Sequence, residues 1–171
     1  MDRLTLVPFT GGMTSITRTL TIATAVGSGL VGGVLFGFST FVMRALDRLP
    51  AADAMAAMQS INREAPNPLF MAALFGTAAT GLALGISALP RLDEPVARLQ
   101  LAGSVLYLAA VAVTAIYHVP HNDALAKLDP TGASAAAEWV RYSSGWTAWN
   151  HVRTAAAVGG AIVLTIAAGL R

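Results

Sequence analysis

The chain has 171 residues, 55% apolar and 12% charged, with a net charge of +2 and no cysteine. The charged share is about half that of an ordinary soluble domain, which points to a single membrane domain over residues 1–171. Scattered basic residues on a near-neutral chain exclude nucleic acid as a partner. The missing thiols exclude disulfides, thiolate catalysis, iron–sulfur clusters and cysteine-ligated zinc.

Residues 1–18 are rich in threonine and carry two basic residues, Arg3 and Arg18. The apolar run after them is too long for a signal-peptide core, and no small-residue cleavage site precedes it. A retained anchor is expected here, with a cleaved signal as the alternative.

Four runs match the ~20 residues that a helix needs to cross a bilayer. They are 19–43, between Arg18 and Arg44; 69–89, between Pro68 and Pro90; 99–117, between Arg98 and His118; and 154–170, before Arg171, extending back to Trp149 for a span of 149–170. None shows strand-like alternation, so helices satisfy the backbone in lipid. The fold class is all-α, an integral, multi-pass four-helix bundle among membrane lipids. Gly29, Gly33 and Gly37 recur every four residues on the first span, and Gly81 and Gly85 on the second. Small residues at that spacing let helices approach closely. Packing within the bundle is the preferred reading, and a homo-oligomer through these glycine-lined faces is the alternative.

The connections differ. In the first, Pro50 suits a first helical position and Asp53 a first turn. Met55, Met58 and Ile61 follow at near-helical spacing. A short amphipathic helix is expected, lying on the membrane or capping the bundle and stopping before Pro66-Asn67-Pro68. The second connection is a tight turn around Arg91-Leu92-Asp93-Glu94. In the third, Asp129-Pro130-Thr131-Gly132 has type I turn chemistry. Ser134 is placed to cap a second short amphipathic helix running through Glu138 and Arg141. Four spans put the first and third connections on one side, so all three histidines, the tryptophans and Asn62 gather at one mouth of the bundle. Five basic residues fall on the side of the termini and six on the other, so the positive-inside rule sets no orientation.

Polar and ionisable groups at a membrane mouth are expensive to place, and a functional site is the default hypothesis. His118 and His121 flank Val119-Pro120, where the proline should end or kink the third helix. With His151 they make a candidate three-histidine metal site for zinc, copper or iron. The competing reading is interfacial histidines bonded to freed backbone. His151 is also a candidate general base, with Asn150 and Arg153 as oxyanion donors; against this, Arg153 would snorkel while its neighbours bond between helices. Trp139, Tyr142, Trp146 and Trp149 are spaced 3, 4 and 3. They form either an interfacial belt or the wall of a flat ligand. Tyr117, Trp146, Trp149 and Asn62 are the candidate substrate contacts, with Arg63, Glu64 and Asn67 within reach of the same mouth. No phosphate loop, dinucleotide fingerprint or serine-nucleophile motif is present.

Four blocks carry a resemblance: Phe38-Ser39-Thr40-Phe41-Val42-Met43-Arg44-Ala45-Leu46, Ala57-Met58-Gln59-Ser60-Ile61-Asn62, Val119-Pro120-His121-Asn122-Asp123-Ala124-Leu125-Ala126 and Trp146-Thr147-Ala148-Trp149-Asn150-His151-Val152-Arg153-Thr154. From about Gly29 onward the chain resembles the anthrone oxygenase-like family of small membrane proteins. Fungal members in polyketide pathways oxidise anthrones to anthraquinones with dioxygen, and many members are bacterial. The resemblance implies an oxidoreductase of a bacterial inner membrane acting on a small apolar aromatic substrate. It favours Asn122, Asn150, His151 and Arg153 as catalytic residues. An anthrone deprotonated at its central carbon passes an electron to dioxygen directly, so no cofactor beyond the co-substrate dioxygen is required. Two alternatives stand beside this reading. One is a histidine-ligated metal oxidoreductase. The other is a non-enzymatic membrane module binding a hydrophobic ligand or a partner helix.

Overall fold

The computed structural model describes residues 14–170; the stretch that bears on a signal or an anchor, residues 1–13, lies outside them. The described residues form five helices: α1 (Ser15–Leu46), α2 (Ala51–Glu64), α3 (Pro68–Arg91), α4 (Pro95–Leu125) and α5 (Ala135–Gly169). No strand occurs among them. α1, α3, α4 and α5 are each long and apolar enough to cross a membrane. α1, α4 and α5 have 32, 31 and 35 residues. At ~1.5 Å per residue they outrun a ~30 Å hydrocarbon core by several turns. Those extra turns, beside the first and third connections, build the mouth of the bundle.

Local sequence sets the helix ends. Thr14 caps α1 by accepting from the Thr17 amide, and Asn67 caps α3 by accepting from Phe70 with Pro68 in the first turn. Pro50 occupies the cap of α2 rather than its first turn. The expected second short helix is absent: residues from Ala135 onward are the opening turns of α5, and the Ser134 side chain makes no capping bond. The turn before it forms as its chemistry dictates, with Gly132 N–H donating to Asp129 O at 3.1 Å and Thr131 N–H to Asp129 Oδ1 at 2.9 Å.

Pro120 does not end α4. A π-helical turn over Thr114–His118 widens the helix just before it, and Pro120 falls in the first turn of the segment that follows. A first-turn residue needs no amide hydrogen. α1 carries a matching π-helical turn over Phe38–Val42. Such turns concentrate at functional sites because they re-aim side chains.

α5 packs between α1 and α4, and α3 closes the far side against the same two helices. Glycines set the closest approaches. A Cβ at Gly160 would stand 3.0 Å from Gly103 O, and one at Gly103 would stand 2.5 Å from Leu164 Cγ. Gly81 and Gly85 pack against Thr24 and Ser104, as their spacing implied. On α1 the expected face packs only in part: a Cβ at Gly29 would meet Ala161 of α5 at 3.8 Å. Gly33 faces open space, and Gly32 approaches Val158 instead.

α2 caps the bundle. Its Met55 and Met58 are fully buried against Met43, Leu125, Trp139 and Trp146. Gln59 Nε2 fastens it to α4 by donating to Leu125 O and Leu128 O, at 2.9 and 3.0 Å. Trp139 Nε1 donates to Asp47 Oδ1 at 3.0 Å, tying α5 to the end of α1.

Candidate functional site

The mouth encloses a cavity of about 620 Å³ between α1, α2, the first turns of α3, and the two long helices α4 and α5. That lies in the range of small-molecule sites, ~300–1,000 Å³. Its walls are mostly apolar, with Phe38, Phe70, Leu74 and Val111 among them. The polar residues of the inner wall are His118, Asn122 and Thr114 from α4, Trp146 and Arg153 from α5, and Asn62 from α2, while Glu64 and Asn67 line the rim at the α2–α3 turn.

Arg153 is the charge in this wall, and it is buried at 7% exposure. Nε donates to Asn150 Oδ1 at 2.9 Å, Nη1 donates to Thr114 Oγ1 at 3.1 Å, and the guanidinium carbon stands 5.1 Å from the Trp146 ring centre. Among the described residues the ion pairs are Arg91–Glu94 and Arg141–Glu138. Arg153 is in neither, and Nη2 makes no hydrogen bond. A buried cation held only by neutral oxygens and a ring face is costly unless an anion or a developing negative charge completes it.

Asn150 positions that guanidinium. Its Nδ2 donates to Leu35 O at 2.9 Å and to Ser39 Oγ at 2.7 Å, which leaves Oδ1 for Arg153. Ser39 bonds Thr154 at 3.0 Å, and Thr154 donates back to Asn150 O at 2.7 Å. This lattice joins α1 to α5 where α1 carries its π-helical turn. Asn122 is fixed similarly. Its Oδ1 accepts from Tyr142 Oη at 2.8 Å and Trp146 Nε1 at 3.0 Å, its NH₂ group has no hydrogen-bond partner among the described residues, and the residue lines the cavity. Asn62 Nδ2 donates to the same Tyr142 hydroxyl at 3.3 Å.

His118 is 1% exposed and packs edge-on against Trp146, ring centres 5.0 Å apart. Both ring nitrogens face backbone carbonyls, Nε2 toward Trp146 O at 3.3 Å and Nδ1 toward Val113 O at 3.4 Å. A neutral imidazole donates to only one of them.

The three histidines do not converge. His121 is exposed, with Nδ1 on Tyr117 O at 2.7 Å and its ring stacked on Tyr117 at 3.9 Å. His151 is exposed on a different face of α5. Among the described residues no group of three or more His, Asp or Glu is placed to hold a metal ion. The three-histidine site is corrected on that geometry. Tyr117 and Trp149, 5.2 Å apart between ring centres, also stand outside the cavity, as part of an outer aromatic layer. His118, Asn122, Trp146, Arg153 and Asn62 are therefore together, Asn150 is behind Arg153, and His121, His151, Tyr117 and Trp149 are elsewhere. Ser39 and Thr114 went unrecognised in the sequence, and Tyr142 was read only as part of the aromatic stripe. For Ser39 the only signal is its place in the Phe38–Leu46 block.

The family model described as Anthrone oxygenase matches residues 68–163, more than half of the chain. The chain belongs to the anthrone oxygenase family. The match covers α3, α4 and α5 through Val163, and with them His118, Asn122, Trp146, Asn150 and Arg153. No curated protein and no solved structure matches. Family membership supports an oxygenase-like function, and the four long apolar helices are compatible with an integral membrane protein.

Proposed function

We propose that this protein is a membrane-bound oxygenase that oxidises an apolar, anthrone-like aromatic with dioxygen. The observation that carries the reading is Arg153, a buried guanidinium in no ion pair among the described residues, at the polar wall of a mostly apolar cavity. Such a group lowers the energy of an enolate far more than it could in water. Arg153 and the NH₂ group of Asn122 would receive the substrate's carbonyl oxygen, with Trp146, Phe38 and Phe70 against the rings.

Loss of the central C–H proton then leaves its electron pair in an enolate held on Arg153. One electron passes to dioxygen, giving superoxide and a carbon radical. Their combination forms the C–O bond of a peroxide, which takes up a proton. Removal of the second C–H proton with cleavage of the O–O bond expels water and leaves the new ketone. One dioxygen is consumed and one water released per methylene oxidised. Dioxygen is the only co-reactant this sequence needs.

In this reading the proton acceptor is His118, the imidazole of the cavity wall, in place of His151. To act, the ring turns one nitrogen away from its carbonyl, and contacts of 3.3 and 3.4 Å are weak ones to release. The test is dioxygen uptake by detergent-purified protein with a hydroxyanthrone, corrected for spontaneous oxidation. Uptake that survives a strong chelator and falls in Arg153→Gln supports the reading. Uptake equal to background rejects it.

A further inference from the structure

The cavity is open to the side. Phe75 on α3 and Val119 on α4 both line it and are 59% and 48% exposed, and Ala115 between them in the wall is exposed as well. The hydrogen bonds and close approaches that tie α3 to its neighbours begin at Leu74: Tyr107 Oη donates to Leu74 O at 3.0 Å, Thr24 Oγ1 to Thr80 Oγ1 at 3.0 Å, and Gly85 rests on Ser104. Before Leu74 its first turns stand along the cavity, leaving a seam against α4. The outer surface beside that seam is apolar, with Leu69 82% and Ile116 77% exposed. Both lie near the ends of membrane-crossing helices, so the seam faces the lipid near its interface. Toward water the cavity is covered by Met58 and Ile61 of α2, and the α2–α3 turn forms its rim.

From this arrangement we infer that the cavity takes its ligand from the lipid phase through the α3–α4 seam. The ligand is a tailed amphiphile whose oxygen-bearing aromatic head sits on Arg153 and Asn122, with an apolar chain leaving past Phe75, Ala115 and Val119. The polarity gradient carries the assignment. His118, Asn122, Trp146 and Arg153 are on the inner wall, Glu64 and Asn67 stand at the water rim, and the seam residues Phe75, Ala115 and Val119 offer only hydrocarbon. A chain lying in the seam keeps its contact with lipid and gives up no hydration. A tailless ring would leave the seam to be filled by acyl chains. The choice of head rests on the proposed function; the route does not.

Two stable probes test it: 1,8-dihydroxyanthraquinone and a decyl derivative of the same ring. Binding to the protein in nanodiscs is read by quenching of tryptophan emission, with affinities expressed per mole fraction of probe in the lipid. The decyl probe should bind at least tenfold more tightly than the bare ring. Ala115→Trp should raise its dissociation constant tenfold or more, and by at least three times as much as Val34→Trp on the α1 side or Ala65→Trp at the water rim, which line the same cavity. Thermal unfolding of each variant shows that it is folded.

Equal affinities for the two probes, no binding of either, no effect of Ala115→Trp, or a block by Val34→Trp or Ala65→Trp instead would each overturn the inference. Dioxygen uptake is measured separately. Tight binding of the decyl probe with no uptake of dioxygen would end the oxygenase reading and leave the lipid-facing route standing.

Discussion

Trp146, Asn150 and Arg153 occupy one face of α5, and Trp149 and His151 occupy the adjoining ones. The first three are buried; the other two are exposed. The two sets are interleaved within eight residues of sequence and have similar chemistry, yet only the first lines the cavity or supports a residue that does. Spacing makes the difference. Steps of four and then three hold one side of a helix, whereas His151, one step from Asn150 and two from Arg153, is turned ~100–200° away; Trp149, three steps from Trp146, stands at the edge of the buried side. An asparagine, a histidine and an arginine adjacent in sequence are therefore not a constellation. On a helix, neighbours in sequence point to different surroundings.

The largest expected effect breaks this comparison directly. Arg153→Gln should lower kcat for a hydroxyanthrone by about 10²–10³-fold, the usual loss for a missing oxyanion donor. His151→Ala should stay within about twofold. Both are checked by dioxygen uptake at saturating substrate, with thermal unfolding alongside. A His151→Ala variant as impaired as Arg153→Gln would return catalysis to the outer face of α5 and sink the assignment of His118.

The same geometry explains what was legible beforehand. The four spans could be read because the absence of charge over twenty residues is a composition signal that needs no knowledge of neighbours. The common mouth followed from counting crossings. Arg153, Asn122, Trp146 and Asn62, which line one cavity, were legible as candidates because polar and aromatic groups at that depth are rare. His118 was singled out as a metal ligand, and it stands in the cavity wall. What could not be read was which groups share a wall, because the two π-helical turns shift the register of α1 and α4 where they meet the site. Pro120 looked like a helix stop for that reason. His151 was favoured on adjacency to Asn150 and Arg153, where stepping by four and three from Trp146 selects Asn150 and Arg153 and passes over it. Ser39 and Thr114 were invisible because their partners, Asn150 and Arg153, lie on another helix and far along the chain.

A second contrast sets two glycines against each other. Gly160 meets Gly103 O and Tyr107 N, at 3.0 and 3.3 Å from a built Cβ, while Gly33 meets nothing. Gly160→Leu should force α4 and α5 apart and lower stability by about 1–3 kcal/mol or more. Gly33→Leu should be close to neutral, as measured by thermal unfolding in detergent. A fall in particle mass on Gly33→Leu would assign that exposed face of α1 to a second copy of the chain.

Ser104 gives a smaller effect with the opposite sign. Its Oγ is buried and has no hydrogen-bond partner among the described residues. Ser104→Ala removes an unsatisfied group at constant shape, so the variant should match the wild type or exceed it by up to about 1 kcal/mol. A clear loss of stability would mean that the hydroxyl has a bound partner, such as water.

The smallest effect lies outside the membrane spans, in the turn before α5. The Thr131 amide and then the Thr131 hydroxyl donate to Asp129 and hold its carboxyl below the usual carboxylate value. A depressed folded value means that the turn is stabilised while Asp129 is ionised. That contribution is present above the unfolded pKa of ~3.9 and disappears as the pH falls through the lower folded value. Asp129 is fully exposed, and water screens most of the effect. Melting temperatures of wild type and Asp129→Asn should therefore differ slightly at neutral pH, wild type higher, and converge in acid. A gap that widens on acidification would contradict the hydrogen bonds assigned to this turn.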